Sequence, residues 1–274
     1  MIIINRILYT KKVHSRLLNI LGISVIRTLI SKLLCSVSNA RRYLRYGKSD
    51  LSRHGMVIFS CPYSDSQRIN LSAIYDEYIR QAQPLPHMAC HKRFIIRPSD
   101  QSFARANTVV LPESIKSLLL PHLGSNGEVT SITFSEIRHG DPDSVEDYQK
   151  MLHRDSYFDT YKLFIYLADV TAREGPFTYI LGSHRLTIRR LLQEYFGSLD
   201  IRPINDNLRQ SVFSFRGWLS PDTKKLSSFV GGLGDLALVN TFGWHARGDG
   251  SIDAVRKSIT VGFKRRPMPG ILDV

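Results

Sequence analysis

Cysteine is scarce: three in 274 residues, Cys35, Cys61 and Cys90. They are far apart, odd in number and form no C-x-x-C, which excludes a zinc ribbon and a disulfide framework. Free thiols in a reducing compartment follow, and with them a cytoplasmic location. Long apolar runs are also lacking. The longest near the start, LLNILGISVI (17–26), has ten residues between Arg16 and Arg27. A membrane span needs about 20, and no small-residue cleavage site follows that would mark a secretory signal. Acid is nearly missing from residues 1–55, where Asp50 stands alone against eleven Lys/Arg, a net of +10 out of +13 for the chain. The other 219 residues carry 26 Lys/Arg and 23 acids, a net of +3. The positive charge therefore belongs to an arm and not to the body. Such an arm suits anionic lipid, nucleic acid or an acidic partner, or it packs on the body as a solvated helix and binds nothing. A peripheral membrane contact through residues 1–45 is kept as an expectation; nucleic acid is not an expected partner.

What is present reads as a globular chain, 43% hydrophobic and 22% charged. Residues 5–45 look helical, with Lys12, Arg16 and Arg27 on roughly one face and Lys32 off it. A boundary at YGKSDLSRHG (46–55) separates this extension, residues 1–45, from a second unit, residues 46–274. MVIFS (56–60) reads as a strand, 70–81 and 112–124 as helices, QPLPHMACHK (83–92) as a loop, and 128–138 as a strand. Short strands follow at 162–168, 177–181, 212–216, 234–241 and 256–263, broken by turn signals and by one helix at 185–197. Many short strands at this spacing predict a mostly β barrel or double-sheet jelly roll with flanking helices. Gly231, Gly232 and Gly234 are no phosphate loop, because neither a helix nor Lys-Ser/Thr follows.

Three patterns carry chemistry. In HRDSYFDTYKLFIYL, His153 and Asp155 are two apart, so an extended chain puts both on one side and Arg154 on the other. An imidazole nitrogen and a carboxylate oxygen can then meet at one metal ion. In GDLALVNTFGWHARGDG an apolar strand ends at a turn carrying His245. Two histidines and one carboxylate make the facial triad of non-haem Fe(II) oxygenases, which leaves open positions for co-substrate and dioxygen. In RKSITVGF, Arg256, Ser258 and Thr260 share one strand face. An arginine fork matches a carboxylate bidentately, and a hydroxyl two residues on adds a hydrogen bond. A second H-x-D, His139 and Asp141, lies in a polar loop with no strand after it and is rejected as the metal pair. His184 reads as the brace of a turn and Trp244 as packing. Tyr157, Tyr161 and Lys162 either line the pocket or merely begin a strand.

Together, HRDSYFDTYKLFIYLADVTAREGPFTYILGSHR, GDLALVNTFGWHARGD and Arg256, eleven residues after His245, resemble the phytanoyl-CoA dioxygenase family. LSRHGMVIF resembles that family's opening segment. The resemblance covers about residues 50–266, is strongest over 153–185 and 234–263, and leaves out the basic arm and residues 198–232. It implies a double-stranded β-helix and an Fe(II)/2-oxoglutarate-dependent dioxygenase. It implies His153, Asp155 and His245 as iron ligands, and Arg256 with Ser258 as the 2-oxoglutarate partners. The expected reaction hydroxylates a small organic substrate of acyl, amino-acid or natural-product type, consuming dioxygen and 2-oxoglutarate and releasing succinate and carbon dioxide. Asp155 is a carboxylate, so the third ligand is kept, which favours hydroxylation over halogenation. The alternatives are a non-catalytic metal-binding jelly roll whose arm docks elsewhere, and a zinc hydrolase on the same ligands. The substrate is left open, since its contacts come from loops such as 82–111, 140–152 and 198–232.

Overall fold

Alternating apolar residues in the strand segments become two antiparallel sheets. The computed structural model describes residues 16–85, 88–123, 127–140, 148–199, 211–212 and 219–264. The larger sheet has the order β1 (Met56–Phe59), β10 (Leu236–Asn240), β6 (Tyr161–Tyr166), β12 (Val255–Lys264), β4 (Glu128–Arg138), β3 (Met88–Ile96), β2 (Gln83–Leu85). The smaller has the order β8 (Ser211–Val212), β5 (His153–Arg154), β11 (His245–Arg247), β7 (Phe177–Ile180), β9 (Leu226–Phe229). This is the mostly β, two-sheet jelly roll that the strand spacing predicts.

The register shows which face does what. Phe59, Leu236, Ile165, Ile259, Phe134 and Phe94 are successive cross-strand partners and form one apolar row. This face packs on helices α4 (Asp65–Ile79), α5 (Phe103–Val110) and α6 (Glu113–Leu123), through Leu71, Ile74, Ala106, Ile115 and Leu119. Burying each large side chain there contributes roughly 1.5–3 kcal/mol. One residue along each strand, the other face meets the smaller sheet. Tyr166 stacks on Phe229 at 4.2 Å between ring centroids, and Phe164 on Phe177 at 4.4 Å. Arg256 and Ser258 belong to this inward face: Ser258 is the cross-strand partner of Tyr166, and both Arg256 and Ser258 are buried.

Two short segments differ from expectation. QPLPHMACHK is not wholly a loop: Gln83–Leu85 and Met88–Ile96 pair as β2 and β3. Pro84 is tolerated because β2 is an edge strand, where no ladder hydrogen bond is lost. Helix α4 begins at Asp65 and not at residue 70, because Ser64 and Gln67 close a capping box.

Before the jelly roll come α1 (Arg16–Ile20), α2 (Ile23–Tyr46) and α3 (Asp50–His54); α7 (Ile188–Leu199) follows β7. Helices α1 and α2 lie against α7. Asn19 Nδ2 donates to Ser198 O (2.8 Å), and Tyr195 Oη donates to Ile20 O (3.1 Å). Of the basic face expected from Lys12, Arg16 and Arg27, the structure places Arg27, and it is not on the surface. Arg27 is buried with its guanidinium 4.0 Å above the Tyr157 ring. Lys12 and the Arg16 side chain lie outside the described residues, as do 1–15, 200–210 and 213–218.

Candidate metal centre

His153 and His245 are direct cross-strand partners on β5 and β11, which brings two residues 92 positions apart (245 − 153) side by side. Their ring centroids are 4.4 Å apart. Beyond β5 the chain turns, and Asp155 N bonds to Thr241 O (3.1 Å), which anchors the carboxylate beside the turn leading to His245. Ligand atoms of His153, Asp155 and His245 lie within 4.8 Å of one another. Among the described residues they are the one group of three or more His/Cys/Asp/Glu with that spacing.

The hydrogen bonds orient the donors. His153 Nδ1 is 2.8 Å from Met151 O, and His245 Nδ1 is 2.9 Å from Gly243 O. A carbonyl only accepts, so each Nδ1 carries the proton and each Nε2 keeps its lone pair. Asp155 Oδ2 is held by Lys162 Nζ at 2.8 Å, and its Oδ1 lies 3.7 Å from His245 Nε2. Burial pushes the His153 imidazole down to about 3, with His245 adding to the effect, so the ring is neutral near pH 7. Burial acts to raise Asp155, but Lys162 and the two histidines outweigh it and hold the carboxyl well below its usual range. Two imidazoles with their Nδ1–H groups tied to carbonyls, and one carboxylate, are a donor set that fits a divalent transition metal.

The turn before His245 is tight by necessity. A Cβ on Gly243 would fall 2.0 Å from Tyr179 Oη, so only glycine fits. Trp244 is buried; its N–H bonds to Ser183 Oγ (2.8 Å) and its indole N–H to Gln193 Oε1 (3.2 Å). Gly231 and Gly234 lie in a turn, as expected: Gly231 bridges Val170, and Gly234 has φ 86°. His184 braces, as expected, with Nε2 donating to Ser52 O at 3.2 Å.

The barrel interior beside the triad is cationic. Arg256 is buried, and its Nη1 donates to Gly175 O in the turn that the sequence marks as REGP. Gly175 has φ 61°, and a Cβ there would press on His139 at 2.5 Å. His139 Nε2 donates to Glu174 O (2.9 Å); Asp141 lies outside the described residues. Two further residues on this inward face escaped the sequence reading. Arg247 is two past His245 on the same strand, an alternation that was there to be read. His91 has no such signal. It reaches the site because His91, Ile137 and Arg256 are consecutive cross-strand partners. Burial pushes His91 down to about 3, with Arg247 and then Arg93 and Arg256 adding to it.

The segment between ligand and wall, Ser156–Thr160, is clamped from outside. Lys32 Nζ of α2 lies 2.5 Å from Asp159 Oδ1 and donates to His184 O at 2.9 Å. Asn240 Nδ2 donates to Asp159 Oδ1 at 2.7 Å. Arg154, which separates the two ligands in sequence, pairs with Glu194 of α7, and Arg190 Nε reaches the same carboxylate at 3.2 Å. Arg190 also lies over the Phe242 and Trp244 rings, at 4.3 Å and 4.5 Å from their centroids. Tyr157 is thereby a buried packing residue under Arg27.

No protein-family model matches the chain, and no curated protein matches it. Solved structures do. The non-heme alpha-ketoglutarate-dependent carbocyclase SnoK from nogalamycin biosynthesis has a TM-score of 0.52 at 19% identity, covering 82% of this chain and 86% of its own. The epimerase SnoN, solved with Fe3+, alpha-ketoglutarate and nogalamycin RO, has a TM-score of 0.55 at 12% identity, covering 86% and 92%. HygX from Streptomyces hygroscopicus, solved with nickel and 2-oxoglutarate, has a TM-score of 0.51 at 15% identity, covering 78% and 84%. At these identities the likeness is one of fold: the chain shares the two-sheet jelly roll of these 2-oxoglutarate-dependent enzymes.

Proposed function

We propose that the chain is an Fe(II)- and 2-oxoglutarate-dependent dioxygenase of the phytanoyl-CoA dioxygenase type, which hydroxylates a small organic substrate. The observation that carries this reading is the convergence of His153, Asp155 and His245 with both imidazole Nδ1–H groups tied to carbonyls. His153 Nε2, His245 Nε2 and Asp155 would hold the iron, which when bound supplies dioxygen activation coupled to oxidative decarboxylation of 2-oxoglutarate. Lys162 keeps Asp155 ionised and holds Oδ2, leaving Oδ1 turned toward His245. The inward guanidinium of Arg256 offers a fork to the distal carboxylate of the co-substrate, with the buried Ser258 hydroxyl on the same strand face as a further donor. The aromatic wall of Phe164 and Phe177 beside His245 excludes water. The solved neighbours include a carbocyclase and an epimerase. Hydroxylation is favoured here by the likeness of residues 153–185 and 234–263 to the named family. Residues 46–274 form the catalytic domain in this reading, and residues 1–45 an extension that braces it through Arg27 and Lys32.

The test is succinate formation by the purified chain. It should require both ferrous iron and 2-oxoglutarate, proceed slowly without primary substrate through uncoupled turnover, and stop in oxygen-free buffer. Activity that continues without oxygen, with zinc in place of iron, would overturn the assignment in favour of a hydrolase.

A further inference from the structure

Helix α2 is amphipathic the wrong way round for a soluble protein. Ser24, Arg27, Thr28 and Ser31 follow the i, i+3, i+4, i+7 spacing of one helix face, and all four are buried. Lys32, on the flank of that face, reaches Asp159. Ile26, Leu29, Ile30 and Leu33 follow the same spacing on the opposite face, and all four are exposed, Leu33 by 68%. Leu17 and Leu21, around α1, are each 67% exposed. Water penalises such a face, and a contiguous apolar surface of this kind marks a site of contact. Leu29, Ile30 and Leu33 also line a cavity of about 610 Å³, which they share with Lys32, Asp159, Tyr161 and Asn240.

Charge selects the occupant. Residues 1–55 hold eleven Lys/Arg against Asp50, and only Arg27 and Lys32 are seen turned inward. Arg45, Lys48 and Arg53 are exposed, as is Arg185, which lines the same cavity as Leu29 and Leu33. A second copy of the chain would bring the same positive charge to the same patch, since a two-fold interface is self-matching. An anionic bilayer brings the opposite charge together with an apolar interior. Among the described residues no helix is long and apolar enough to cross a membrane, so the helices would lie along the surface.

The geometry points to α1 and α2 as a surface-lying membrane contact: Leu17, Leu21, Ile26, Leu29, Ile30 and Leu33 enter the headgroup layer of an anionic bilayer, flanked by exposed Arg and Lys. The polar face stays inward and holds the segment that follows Asp155. The two sides meet at the cavity where Leu29 and Leu33 stand beside Lys32 and Asp159. The inference does not depend on the oxygenase reading, and its test reads no activity.

Full-length protein is sedimented with vesicles of phosphatidylcholine alone and of phosphatidylcholine mixed with phosphatidylglycerol. Binding is expected to the mixed vesicles, weaker at high salt because the cationic part is screened. The double variant Leu17→Glu/Ile26→Glu should lower the partition by about ten-fold or more while its circular dichroism and metal binding match the parent, since both side chains are exposed and neither lines the cavity that holds Lys32 and Asp159. Light scattering is run on the same samples. Protein that stays in the supernatant with mixed vesicles overturns the inference. So does a concentration-dependent dimer that the double variant abolishes, which would assign the face to a second copy. A variant that sediments like the parent would move the contact off this face and overturns it too.

Discussion

Lys32 and Asp159 form a buried ion pair, 2.5 Å between Nζ and Oδ1, that joins helix α2 to the chain four residues beyond Asp155. The pair ties the N-terminal helices to the candidate metal centre. Removing its cation would leave a buried carboxylate whose remaining described partner is the Asn240 amide.

Lys32→Met should therefore cost about 3 kcal/mol of unfolding free energy, the scale seen when one partner of a buried pair is removed. It should also weaken metal binding, because the Asp155 segment loses its outer tether. Urea unfolding and a titration with ferrous iron or nickel read the two effects. Lys32→Met/Asp159→Asn removes the stranded charge and should recover much of the stability. A single variant as stable as the parent would show that the pair does not clamp the segment.

His153→Ala and Asp155→Ala should each reduce iron-dependent succinate formation to background with the fold intact by circular dichroism. Each variant loses one of three donors. Full turnover by either purified variant in the presence of iron would sink the metal assignment.

Lys162→Met should lower metal affinity about ten-fold, the lower end of what a partner of a ligand contributes. Lys162 holds Asp155 Oδ2 at 2.8 Å and lowers the carboxyl's proton affinity. Without it the carboxylate can rotate and protonates more readily. An unchanged metal titration, from pH about 5 upward, would show that Lys162 only decorates the start of β6.

Arg256→Ala should chiefly raise the 2-oxoglutarate concentration needed for half-maximal succinate formation, by about 10- to 100-fold, as loss of a charge-assisted hydrogen bond implies. Arg256→Lys should restore little, because an ammonium lacks the fork. Saturation by 2-oxoglutarate that is unaltered in both variants would remove Arg256 from the co-substrate site.

Much of this arrangement was legible as strand alternation. Arg256 and Ser258 are two apart on β12, and a strand turns such a pair the same way, whereas Asp155 lies just past β5 and is placed by the turn there. The buried alternation of Leu163 with Ile165 and of Ile259 with Val261 follows from the same rule. What was hidden depends on pairing across the sheets. His91 joins the site only because β3, β4 and β12 are neighbours. The pairing of His153 with His245 needs two strands 92 residues apart in sequence. The face of α2 was hidden for a different reason. Helical periodicity shows two faces but not which one is inside, and the usual assumption that the apolar face is buried fails where Asp159, Tyr157 and Glu194 offer partners to the polar one.

Acid should destabilise the metal-free protein over a defined window. His91 and His153 are pushed down to about 3 and His184 to about 4, in each case chiefly by burial. In the unfolded chain each returns to about 6.5. A histidine with a lowered folded value binds its proton more readily when unfolded, so protonation favours unfolding. The stability is whole above about pH 6.5 and is lost as pH falls from there toward the folded values. Each such group contributes at most roughly 1.4 kcal/mol per pH unit inside the window. Asp155 and Asp159, whose folded values are lowered, act in the same direction but only below the ordinary carboxylate range. Urea midpoints measured at steps from about pH 8 to about pH 4.5 should be flat at first and then fall. His184→Gln, which keeps a side-chain N–H for Ser52 O and cannot take up a proton, should make the fall shallower. A midpoint that holds level down to pH about 5 would show that these rings are not kept neutral by the fold.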